Sequence, residues 1–130
     1  MARTIEVPKE NWSIFLNELN RHTGGRPVRI EVENMELGDQ QMARHLPLQE
    51  ISYESKGSDQ GSIEIRVGYD TGDVRELTHW VANASKLFIQ EDDNGQVECI
   101  EIESSDGGKT LVYSEHLPAL REAEQQVGAP

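Results

Sequence analysis

The chain lacks most of the features that announce a particular chemistry. It has one cysteine, Cys99, in 130 residues. That excludes an internal disulfide and falls far short of a cysteine-built zinc site. No apolar run approaches the ~20 residues that span a bilayer, and the opening Met-Ala-Arg-Thr-Ile-Glu-Val-Pro has no apolar secretory core. A cytoplasmic protein without membrane association is therefore expected. Basic residues are scarce, 12 Lys and Arg against 24 Asp and Glu, for a formal net charge of -12. A surface of that sign repels nucleic acid and anionic lipid, so direct binding to either is disfavoured. The acidity itself has three readings: solubility, a salt-tolerant host, or mimicry of a nucleic acid towards a basic partner.

What the chain does have suits a globular protein, with 35% hydrophobic and 28% charged residues. Its length is enough for one domain with a real core and too short for two ordinary ones, so residues 1–130 are read as a single domain. The most informative segment is the last third, Lys86 to Tyr113. Three alternating apolar/polar runs are separated there by Asp93-Asn94-Gly95 and Asp106-Gly107-Gly108. Such residues tolerate the positive φ angles of tight hairpins, which predicts a three-stranded antiparallel meander with an acidic outer face.

Upstream, Trp12, Phe15, Leu16 and Leu19 fall at i, i+3, i+4 and i+7, which predicts an amphipathic helix between Pro8 and Gly24-Gly25. Val28, Ile30 and Val32 alternate with Arg29, Glu31 and Glu33 as a strand. Gln40 to Leu46 and Leu48 to Glu54 read as two short strands or one kinked at Pro47, which cannot donate to a ladder. Ser62 to Gly68 and Val74 to Ala82 supply two more, and Leu117, Leu120 and Ala123 suggest a short C-terminal helix. The expected fold is α+β: an N-terminal helix, then a curled six- to seven-stranded antiparallel sheet forming a half-open barrel, then the terminal helix. A flatter sheet with both helices on one face is the alternative. An uncovered edge strand leaves dimerisation open.

Three groups of residues also occur together in a familiar order: Val7-Pro-Lys-Glu-Asn-Trp12 leading to Phe15-Leu16 and His22-Thr-Gly24; Ala43-Arg-His-Leu-Pro-Leu48; and Leu77-Thr-His79 followed by Ile100-Glu-Ile-Glu-Ser104, Asp106-Gly107 and Thr110-Leu111. Over nearly the whole chain they resemble a family of small bacterial proteins known as domain of unknown function 5335. The resemblance implies a compact, stand-alone, cytoplasmic bacterial domain, and carries no activity, substrate or catalytic residue with it.

Among residues that could carry chemistry, His79 stands out. It shares strand parity with Leu77 and Val81, so it points inward if they are core. It reads either as a general base or ligand in a barrel mouth, or as a structural histidine bonded to the backbone. Trp80 points the other way, an apolar anchor beside the meander's acids Glu101 and Glu103. His22, His45 and His116 lie at a helix end, beside a proline and in the tail. Cys99, flanked by Glu98 and Glu101, is held as a thiol and reads as structural. Glu91-Asp92-Asp93-Asn94-Gly95 and Asp70-Thr-Gly-Asp73 lack the ligand spacing of a calcium loop, and neither glycine pair has the helix of a phosphate loop. No cofactor or metal is expected. The sequence thus favours a non-catalytic interaction or regulatory module using an acidic sheet face, with a protein partner or a second copy of itself. The alternatives are a small-molecule binder or small enzyme with His79 in a barrel-mouth pocket, and an acidic nucleic-acid mimic.

Overall fold

The computed structural model describes residues 3–34, 38–58, 60–68 and 77–115. In chain order the elements are β1 (Arg3–Val7), a 3-10 turn (Lys9–Asn11), α1 (Trp12–Thr23), β2 (Pro27–Asn34), β3 (Gly38–Tyr53), β4 (Ile63–Val67), β5 (Leu77–Val81), β6 (Ala84–Glu91), β7 (Val97–Ser104) and β8 (Lys109–Ser114). The strands form one antiparallel sheet in the order β1-β6-β7-β8-β2-β3-β4-β5.

The helix follows its apolar stripe. Trp12, Leu16 and Leu19 are buried and Phe15 is half-buried. Its first turn is pinned by the Trp12 indole, which donates to the Val7 carbonyl at 2.8 Å and meets Tyr53 edge-on, ring centroids 5.0 Å apart. The meander forms as its turns dictate. Gly95 and Gly107 take φ values of 79° and 92°, which any residue with a Cβ resists. Asp92 Oδ1 accepts the amides of Asn94 and Gln96, and Asp106 Oδ1 accepts that of Gly108, closing each turn locally.

β3 organises the sheet. Its first part pairs with β2 as far as Pro27 opposite Pro47, and from Leu48 it pairs with β4. Neither proline can donate, so the β2–β3 ladder ends there. His45, at φ 57°, bends the strand just before, and a bulge between Leu48 and Glu50 follows. Beyond the bend, the edge of β3 that β2 has left is covered by other groups. Leu48 exchanges backbone bonds with Gly25 and Arg26 at 2.7 and 2.8 Å. The Asn20 side chain, projecting from α1, bonds both the N–H and the C=O of Ile51 at 2.9 Å.

The core is one cluster. Val28, Ile30, Leu87, Ile100, Ile102 and Val112 from one half of the sheet join Ile51, Ile63, Ile65, Val67 and Val81 from the other, and α1 adds Trp12, Leu16 and Leu19.

The α+β class and the N-terminal helix are as the sequence predicts, but three details differ. The described strands number eight, because Arg3–Val7 pairs with β6 as an extra edge strand. The sheet is not a half-open barrel: closure needs pairing between its ends, and in the described residues β1 pairs only with β6 and β5 only with β4. The helix begins at Trp12 after a 3-10 turn rather than at Pro8. The expected C-terminal helix lies outside the described residues. No helix among the described residues is long and apolar enough to cross a membrane.

Candidate functional site

The two faces of β5 carry different chemistry because a strand alternates its side chains. Val81 is buried beneath the sheet and His79 lies half-buried on the same side, across from Ile65 of β4. His79 Nε2 is 3.2 Å from the Thr110 hydroxyl, which β8 holds in the core at 3% exposure. The bond ties the last strand of the sheet to one near its middle. Burial pushes the His79 pKa below the ordinary histidine value, which favours the neutral ring. The inward orientation matches the sequence reading. The partner is a buried hydroxyl rather than a backbone carbonyl, a contact between two halves of the core.

On the outer side of β5, Trp80 is 47% exposed and lies opposite Glu64 of β4. The next pair is Thr78 with Arg66. Arg66 reaches back to β3, donating to Gln49 Oε1 at 3.0 Å and Glu50 Oε1 at 3.1 Å, with Glu64 Oε1 at 4.0 Å. Trp80 therefore stands at the end of the sheet, bordered by a patch of both charges with Arg66 at its centre.

Glu101 and Glu103 are elsewhere. They share the outer face of β7, with Leu111 and Lys109 of β8 on one side and Phe88 and Lys86 of β6 on the other. One strand further, Glu33 also faces Lys109, so that lysine stands between two carboxylates. Burial and a side-chain hydrogen bond with Glu103 raise the Glu101 pKa, and Lys109 works in the opposite direction. Arg29, also on this face, stacks on Tyr113 with its guanidinium carbon 4.2 Å from the ring centroid and its Nε 2.9 Å from Glu31. The expectation that Trp80 neighbours Glu101 and Glu103 is thus corrected. β5 and β6 are consecutive in the chain across the turn at Asn83 (φ 53°), but β5 pairs with β4 while β6 pairs with β1 and β7, so β5 and β7 are not neighbours in the sheet. The four candidates fall in three places: one in the core, one at the β5 edge, two on the face of β7.

The other residues singled out lie apart from these three places. Cys99 is buried, and burial followed by the charge of Glu101 pushes its thiol up to about 12. His22 is 3.7 Å from Glu18 on α1. His45 holds Glu115 twice, through its backbone N–H at 2.6 Å and Nδ1 at 3.0 Å. His116 and Asp70-Thr-Gly-Asp73 lie outside the described residues. No cluster of three or more His, Cys, Asp or Glu that could hold a metal occurs among the described residues. One residue the sequence reading passed over, Asn20, is the polar member of the α1 stripe, four positions after Leu16. A polar residue in line with a buried stripe was the available signal.

Compared with known proteins, residues 3–123 match the model of a family of unknown function, DUF5335. An uncharacterized protein of Aquifex aeolicus (strain VF5) is 27% identical over 109 residues, covering 84% of this chain and 89% of the relative. No solved structure matches.

Proposed function

We propose, for a chain that belongs to the family of unknown function DUF5335, that it is a non-catalytic interaction module that receives an extended, basic segment of a partner protein along β5. The observation that carries this reading is Trp80, a large apolar side chain 47% exposed on the last strand of the sheet. A sheet edge offers backbone groups to an added strand, and an adjoining tryptophan supplies the buried anchor that dominates many interfaces. Basic character follows from charge. With a net -12, a second copy of the chain is repelled at long range, while a lysine- or arginine-bearing segment is attracted and can stack on the indole. Glu64, opposite Trp80, and Glu50, both at Arg66, are acids on this side of the sheet that can meet it.

The test is affinity capture with wild-type and Trp80→Ser baits, followed by titration of the captured protein against each. The reading expects a partner with a basic extended segment. Binding should weaken at least tenfold in Trp80→Ser and also as salt is raised. Equal affinity for the two baits refutes it. Light scattering on the isolated chain covers the other occupant: a dimer abolished by Trp80→Ser replaces the basic partner with a second copy.

A further inference from the structure

A cleft lies between α1 and the turn joining β6 to β7, and it shares no residue with β5. Its volume is about 380 Å³, within the range of small-ligand sites. The floor is apolar: Phe15 and Leu19, one helical turn apart on α1, and Val97 at the start of β7. The rim is polar, and most of its groups are already committed. Thr23 donates to the Leu19 carbonyl at 2.7 Å and Ser114 to that of Val97 at 3.2 Å. Asp92 Oδ1 accepts two backbone amides, and Glu18 accepts from Arg21 at 3.0 Å while standing 3.7 Å from His22. Among the described residues, two rim side chains have no such commitment, the Arg26 guanidinium and the Gln96 amide, and both can donate.

We infer that this cleft binds a small amphipathic carboxylate, its apolar body on Phe15, Leu19 and Val97 and its head group at Arg26. A guanidinium takes a carboxylate through two parallel N–H···O bonds, and Gln96 adds a neutral donor at the rim. A monoanion fits better than a phosphate dianion, because Glu18 and Asp92 share the rim and repel the second charge. In a chain of net charge -12, the Arg26 guanidinium is a rim cation with no acidic partner among the described residues, and it can take such a head group.

Octanoate and its neutral counterpart 1-octanol are the probes, titrated into the whole chain by calorimetry and by amide chemical shifts. Saturable 1:1 binding of octanoate is expected, tighter than that of octanol, with shifts at Phe15, Leu19, Gly95 and Val97. Arg26→Gln should weaken octanoate about tenfold and leave octanol unchanged, whereas Arg26→Lys should retain part of the preference. The Arg26 side chain is on the surface, and circular dichroism on each variant verifies the fold. The inference fails if octanoate does not saturate, if the shifts lie outside the cleft, or if Arg26→Gln binds octanoate as wild type does.

Discussion

Replacing Asn20 with alanine tests how the bent sheet closes its inner edge. The Asn20 amide stands in for a missing strand, accepting from Ile51 N–H and donating to Ile51 C=O, both at 2.9 Å. Ile51 itself is 0% exposed, so its backbone groups have little access to replacement water once the amide is gone. Leaving a buried backbone donor or acceptor unsatisfied costs about 1–3 kcal/mol each. Asn20 is half-buried rather than enclosed, which favours the low end, and alanine's better helix propensity offsets a few tenths. The expected loss is about 2 kcal/mol. With an unfolding entropy of about 2 cal/mol/K per residue, that lowers Tm by about 7 °C for a chain of 130 residues. Urea unfolding monitored by circular dichroism measures the change, and an unaltered slope shows that the unfolded state is the same. Asn17→Ala, on the exposed side of the same helix, is the control and should stay within about 0.5 kcal/mol. If Asn20→Ala matches that control, the amide is not serving as the missing strand.

Three further outcomes follow from the same geometry. His79 has a folded pKa below its unfolded value, so the stability tied to its neutral ring is fully present above about pH 6.5 and is lost as pH falls through the folded value. Urea midpoints between pH 8 and pH 5 should decline, and His79→Gln should flatten the decline; an equally steep profile in the variant contradicts the assignment. Glu101 is shifted upward, so its charge opposes folding at neutral pH and that cost disappears as pH falls through its folded value. Glu101→Gln is therefore expected to stabilise by a few tenths of a kcal/mol at pH 7 and to make no difference near pH 3, with thermal melts at the two pH values as the measurement. Cys99, held as a thiol at about 12, should resist an aromatic disulfide reagent in the native protein and react fully in urea, and stoichiometric native labelling would contradict its burial.

The parts of this fold legible in the sequence are those that local chemistry settles. The α1 stripe is a property of four residues at helical spacing, and Trp12, Leu16 and Leu19 are buried accordingly. The meander turns need residues tolerant of positive φ and an aspartate to accept the turn amides, and both are written in Asp92 to Gln96 and Ser104 to Gly108. Inward His79 and outward Trp80 likewise follow from parity within one strand. What was not legible depends on partners distant in the chain. Arg3–Val7 is a strand because β6 offers it an edge, and five residues before a proline carry little pattern of their own. Closure into a barrel was a question about β1 and β5, which periodicity within either strand does not address.

The division of the candidate site has the same origin, and it bears on what each residue can do. Trp80 lies on the strand just before the meander, and that proximity in sequence is what set it beside Glu101 and Glu103. The turn at Asn83 instead leads from β5, the last strand of the order, to β6, the second, and the Asn83 carbonyl accepts the Ser105 amide at 2.9 Å. Glu103 shares its rung with Lys86 and Lys109, and Glu101 lies one rung on, between Phe88 and Leu111, so cross-strand cations beside Glu103 offset the repulsion of the pair. Trp80 has no such rung on its outer side, because β5 ends the described sheet and one of its edges has no strand partner there. A tryptophan at a sheet edge gains most from a contact that supplies both the absent strand and a cover for the indole. For that reason the β5 edge, and not the carboxylates of the meander, carries the interaction reading.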